Sequence, residues 1–116
     1  MLIVEDDRAL ARSLARALEQ AGYSCRQVHD GNAGLEAVGK AHPDLILIDL
    51  LLPKKDGHSV ISMLNAAEAT RSIPIIAMSG VFRGSDPAKS VVAAGARAFM
   101  EKPFDTAALL DRVSRL

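Results

Sequence analysis

A chain of 116 residues is sized for one domain around one core, burying roughly two thirds of the surface that its unfolded form exposes. Apolar residues make up 49% and charged residues 24%, which excludes a disordered polyelectrolyte, and 14 acidic against 14 basic side chains leave no net charge to attract nucleic acid or an anionic membrane. The single cysteine, Cys25, excludes an internal disulfide, and no run approaches the ~18 apolar residues of a membrane span or carries the basic lead of a secretion signal, so a cytoplasmic location is expected.

In chain order, residues 1–4 (MLIV) form a short apolar run of the kind a buried strand shows, stopped by three acids. Residues 7–21 place Leu10, Leu14, Ala17, Leu18 and Ala21 at helical spacing, and Gly22 ends that helix. Residues 24–28 alternate weakly as a second strand, and 32–40 form a second helix after the turn residues HDGN. Residues 45–48 are apolar on both faces, as a central parallel strand covered by helices would be. Residues 54–57 (KKDG) make a turn before a helix over 58–67, and 73–78 are a fourth strand with Pro74 near its start. Ser85, Asp86 and Pro87 start a helix that stops at Gly95. Residues 98–100 are a fifth strand, and 105–116 a last helix with Leu109, Leu110, Val113 and Leu116 facing inward.

Strands alternating with helices over short loops predict an α/β fold: a doubly wound, five-stranded parallel sheet flanked by five helices, in one domain over 1–116. In such sheets the functional crevice lies at the carboxyl ends of the strands. Those ends are polar here: Glu5, Asp6 and Asp7, then Asp49, then Ser79 and Gly80, then Glu101, Lys102 and Pro103. The architecture therefore gathers Glu5, Asp6, Asp49, Ser79 and Lys102 at one rim. Carboxylates brought together repel one another, and a cation is their natural partner. Hard oxygen ligands with room for water suit Mg²⁺, which with Lys102 would leave the cluster of Glu5, Asp6 and Asp49 neutral.

The same residues carry a family resemblance: LIVEDD at 2–7, LILIDLLLPKKDG at 45–57, IPIIAMSG at 73–80 and AFMEKPF at 98–104. The sequence resembles the receiver domain of bacterial two-component response regulators and is similar in plan to the single-domain chemotaxis regulator. The resemblance implies a flavodoxin-like receiver fold in which Asp49 takes a phosphoryl group from a sensor histidine kinase or a histidine phosphotransfer protein, in a Mg²⁺-dependent reaction. It implies that Asp6 binds the metal directly, Glu5 through water and Leu51 through its backbone carbonyl. Lys102 would contact the phosphoryl group, with a cis bond to Pro103. Ser79 and Phe99 would be the switch pair that changes the surface of the fourth helix, fifth strand and fifth helix. It further implies a fused or separate output domain, a phosphorylation-dependent homodimer, and catalysis confined to the domain's own phosphorylation and dephosphorylation. Leu51 and Val81 stand where polar side chains often orient the hydrolytic water, so the apolar pair is expected to lengthen the phosphoryl lifetime.

Local explanations compete with this reading. Acids favour the first turn of a helix, and Asp7 is expected to be an N-cap. His29, His42 and His58 lack metal-ligand spacing and are expected at the surface, Lys54 and Lys55 in a solvated turn, and Cys25 and Met78 in the core. A phosphatase of the haloacid dehalogenase type would need an aspartate where Leu51 stands. A flavin or nucleotide binder would need glycines where EDDRAL stands. A receiver kept only as a scaffold would have lost site residues, and every expected one is present.

Overall fold

The computed structural model describes residues 1–80 and 87–116, without the side chains of Pro87 and Ala88. In chain order the elements are β1 (Leu2–Val4), α1 (Arg8–Gln20), β2 (Arg26–Val28), α2 (Gly31–Lys40), β3 (Ile46–Asp49), α3 (Gly57–Ala66), β4 (Ile75–Ser79), α4 (Pro87–Ala94), β5 (Ala98–Glu101) and α5 (Thr106–Ser114). The strands form one parallel sheet in the order β2-β1-β3-β4-β5. The winding direction therefore reverses between β1 and β3, where a crevice opens at the strands' carboxyl ends.

The three inner strands β1, β3 and β4 bury both faces, with alternate residues in different layers, whereas the edge strand β2 is largely exposed. Val4, Ile46, Ile48, Ile75 and Ala77 pack with Val60, Ile61, Leu64 and Val91 under α2, α3 and α4. Ile3, Leu47, Ile76, Met78 and Met100 pack with Leu14, Leu18, Leu109 and Val113 under α1 and α5. Fully burying one such aliphatic side chain stabilises by about 1.5–3 kcal/mol, so the two layers supply the main driving force.

Four helices begin on an aspartate whose carboxylate accepts a backbone N–H three residues on: Asp7 from Leu10, Asp30 from Ala33, Asp56 from Ser59 and Asp105 from Ala108, at 2.7–3.1 Å. Each cap satisfies one of the N–H groups that the first helical turn leaves without a partner. The expected capping residues of α4, Ser85 and Asp86, lie outside the described residues.

Several boundaries and faces differ from expectation. The cap at Asp30 starts α2 one residue earlier than the turn residues suggested. The strand β3 extends to include Asp49, while β4 begins at Ile75, after Pro74, which has no N–H to give the ladder. Helix α1 ends at Gln20 with Ala21 as its C-cap, and Gly22 just beyond takes φ +100°. In its buried stripe Leu14 and Leu18 stand as expected and Ala11 and Ala15 join them, while Leu10 and Ala17 are half-buried at its edge and Ala21 is exposed. Leu116 does not face inward: α5 ends at Ser114, and Leu116 is exposed. Met78 is buried as expected, whereas Cys25 is only half-buried and burial raises its thiol pKa. His58 is tied to α4, with Nε2 2.9 Å from Ser90 Oγ. Lys54 takes a left-handed φ of +68° in the β3–α3 turn and lies 3.7 Å from Asp30.

Candidate functional site

Ile3, Leu47 and Met100 belong to one core layer, and two positions beyond each, on the same side of the sheet, stand Glu5, Asp49 and Lys102. The register pairs Val4 with Ile48, so the next residues, Glu5 and Asp49, come side by side. Lys102 arrives from β5, whose Glu101 pairs with Ser79. Its backbone N–H donates to the Ser79 carbonyl at 2.9 Å, and the peptide that follows, to Pro103, is cis.

The lysine ammonium lies between the two acids. Lys102 Nζ donates to Glu5 Oε1 and, at 3.1 Å, to Asp49 Oδ2. The remaining carboxylate oxygens meet backbone donors: Glu5 Oε2 accepts from Asp7 N at 3.2 Å, and Asp49 Oδ1 from Leu51 N at 3.2 Å. Glu5 and Asp49 are 1% and 6% exposed, whereas Asp6 is exposed, so the cluster opens to solvent on one side. One carboxylate oxygen from each of Glu5, Asp6 and Asp49 lies within 4.8 Å of the other two.

Burial dominates the electrostatics. Together with the negative charge of Asp49 it lifts the Glu5 carboxyl from 4.5 to about 7, despite the bonds from Lys102 and the Asp7 N–H. Burial pulls the Lys102 pKa down, but its bond to Glu5 and the charge of Asp49 outweigh that and raise the ammonium pKa above its usual value. The site thus holds more negative charge than its one lysine neutralises. The donor set fits Mg²⁺: hard carboxylate oxygens converge, two of them buried and one facing water.

Ser79 is buried at the end of β4, and Phe99 is half-buried against the layer under α2, α3 and α4. Leu51 is 57% exposed at the mouth of the site. Val81, the other apolar position expected there, lies outside the described residues. The local explanation holds for Asp7, which caps α1, and fails for Glu5 and Asp6, which converge on Asp49.

Two residues at the site were not recognisable as such in the sequence. Gly57 looked only like a turn residue, yet a Cβ there would lie 2.2 Å from the Asp49 carbonyl oxygen, and its N–H donates to Leu50 O at 3.0 Å. The first turn of α3 therefore presses on the peptide after Asp49, an approach that only glycine permits. The available signal was the Asp-Gly pair ahead of an apolar helix. His29, expected at the surface, is half-buried with Nδ1 2.9 Å from the Glu5 backbone carbonyl.

The sequence pattern of the response regulator receiver domain matches residues 1–114. The chain is 36% identical over 116 residues to the DNA-binding dual master transcriptional regulator RpaA of Synechocystis, covering all of this chain and 48% of that protein. It spans about half the length of the curated relatives it matches. The signal receiver domain of a signal transduction histidine kinase from Syntrophus aciditrophicus has a TM-score of 0.89 at 33% identity, with 98% of this chain and 86% of that one covered. The receiver domain of the sensor histidine kinase PA1611 from Pseudomonas aeruginosa has a TM-score of 0.88 at 31% identity, covering 98% and 93%, and carries a magnesium ion in its active site cleft. With the doubly wound fold and the acidic strand ends agreeing, the chain belongs to the receiver domain family of two-component response regulators.

Proposed function

We propose that Asp49 accepts a phosphoryl group from a phosphohistidine, supplied by a sensor histidine kinase or a histidine phosphotransfer protein. The observation that carries this reading is the buried Asp49 carboxylate, 3.1 Å from Lys102 and within 4.8 Å of the acids of Glu5 and Asp6. A carboxylate oxygen of Asp49 forms the new P–O bond as the P–N bond of the donor breaks, and the electron pair leaves on the imidazole nitrogen. Lys102 holds its positive charge where the acyl phosphate gains negative charge. Glu5, Asp6, Asp49 and the Leu51 carbonyl would hold Mg²⁺, which when bound draws negative charge from the phosphoryl oxygens.

Ser79 and Phe99 make the switch in this reading: the Ser79 hydroxyl bonds the new phosphoryl group, Phe99 repacks, and the surface of α4, β5 and α5 changes. Phe99 has no hydroxyl, so its inward state rests on packing. The chemistry is confined to the chain's own phosphorylation and hydrolysis. An apolar groove of about 450 Å³ between α1 and the segment after β5, bordered by Leu10, Leu14, Lys102 and Phe104, offers the phosphodonor a place to dock. The output is a fused or separate domain or a phosphorylation-dependent homodimer; the curated relatives' greater length supports a fused one. No described helix is long and apolar enough to cross a membrane, and a cytoplasmic location is part of the proposal.

The test is intact mass after incubation with acetyl phosphate and Mg²⁺. An adduct of ~80 Da that disappears in Asp49→Ala and in a chelator-treated sample is the expected result. No adduct on the folded chain, even with a phosphohistidine donor, would leave a binding scaffold as the function.

A further inference from the structure

Glu5 and Asp6 present a geometric conflict. Consecutive residues of a strand point to opposite faces of the sheet, so two adjacent acids can reach one site only if the chain leaves strand geometry between them. β1 ends at Val4, and the acid oxygens of Glu5, Asp6 and Asp49 nevertheless converge within 4.8 Å. Glu5 continues the row of Ile3 toward Asp49, so Asp6 is the residue that must be turned, and the peptide joining it to Glu5 sets that turn.

That peptide is held from one side chain. The Glu5 N–H still follows the sheet and donates to the Val28 carbonyl at 3.1 Å. The Glu5 carbonyl, which lies in the plane of the Glu5–Asp6 peptide, has His29 Nδ1 at 2.9 Å. A carbonyl can only accept, so Nδ1 carries the proton in this bond, in the neutral ring as in the charged one. β2 ends at Val28, one residue before His29, and the imidazole thus supplies a donor just where the ladder stops.

We propose that His29 is a positioning residue of the acidic site: its Nδ1–H fixes the Glu5–Asp6 peptide plane and so aims the Asp6 carboxylate at the metal position. This rests on the metal-binding reading of Glu5, Asp6 and Asp49. Groups that orient metal ligands by hydrogen bonds contribute measurably to metal affinity without touching the ion.

The test uses isosteres. Asparagine places its amide nitrogen close to where the histidine Nδ1 sits, whereas glutamine places its own close to Nε2 and leucine has none. Mg²⁺ dissociation constants are measured by titration calorimetry on the unaltered chain, His29→Asn, His29→Gln, His29→Leu and Asp6→Ala, with thermal unfolding of each in chelator. The expected result is Mg²⁺ binding weakened roughly 3- to 10-fold in His29→Leu and His29→Gln, the range one ordinary hydrogen bond spans, with His29→Asn within about twofold of the unaltered chain. Should His29→Leu fail to fold, the asparagine–glutamine pair decides alone. Equal affinity in all folded His29 variants, or asparagine as impaired as glutamine, overturns the positioning role while Asp6→Ala still reports the site. Absence of Mg²⁺ binding in the unaltered chain overturns the metal site itself and this role with it.

Discussion

Glu5 and Asp56 are both carboxylates at the carboxyl-end rim of the sheet, and their environments push them in opposite directions. Glu5 is 1% exposed beside a second acid, and burial raises its pKa to about 7. Asp56 is exposed and caps α3, accepting from Ser59 N at 2.9 Å and Ser59 Oγ at 3.0 Å, and those bonds to the charged form lower its pKa. The cap strengthens the fold by being charged, whereas the buried acid weakens it by being charged. Of these two acids, the one that costs stability in the metal-free chain is the one that stands with Asp6 and Asp49 in the acidic cluster.

Removing the lysine should widen this difference most. Lys102→Met strips from two buried acids the cation that, among the described residues, pairs with both, and we expect a loss of about 3–5 kcal/mol at pH 8, read by urea denaturation, with part of it regained at pH 5. A loss no larger at pH 8 than at pH 5 would show that the Glu5 charge is not what the lysine offsets.

Next in size is the pH dependence of the metal-free chain. Between pH 4.5 and about 7 the folded state holds a proton on Glu5 that the unfolded state has released, so stability falls as pH rises through that window. The full effect is roughly 3 kcal/mol, present as stability below pH 4.5 and gone above pH 7. Thermal unfolding in chelator should show this slope, and Glu5→Gln should flatten it. A slope that survives in Glu5→Gln would assign the titration to another group.

The smallest expected effect is at the cap. Asp56→Ala should cost about 1 kcal/mol at pH 7. The Asp56 pKa is lowered on folding from 3.8, so its contribution is present above that value and lost as pH falls through the folded pKa. The stability difference from the unaltered chain should therefore close in acid, the reverse of the Glu5 trend. Parallel pH trends for the two acids would undo the comparison.

Much of the site was legible because the strands alternate with period two. Reading two residues past Ile3, Leu47 and Met100 leads to Glu5, Asp49 and Lys102, each at the polar end of an apolar run. Asp6 lies off that row, and the peptide before it has His29, a residue just past the end of β2, 2.9 Å from its carbonyl. Gly57 and His29 escaped notice for the same reason. Each acts through a backbone atom distant in sequence or hidden by a turn, and a backbone contact leaves no residue-type pattern. The buried face of α1 was legible in Leu14 and Leu18, but its edge was not: spacing extended it to Ala17 and Ala21, while the fold buries Ala11 and Ala15.

By itself the sequence determined the order of strands and helices, the aspartate that starts α1, and which side chains stand at the strand ends. These follow from periodicity, turn chemistry and capping, which act over a few residues. Only the tertiary structure decided that β1 lies next to β3, with Val4 opposite Ile48, and so that Glu5 meets Asp49 under the Lys102 ammonium. The register of strands separated by more than forty residues is set by ladder hydrogen bonds and by two helical layers closing on the sheet together, and no local stretch encodes it.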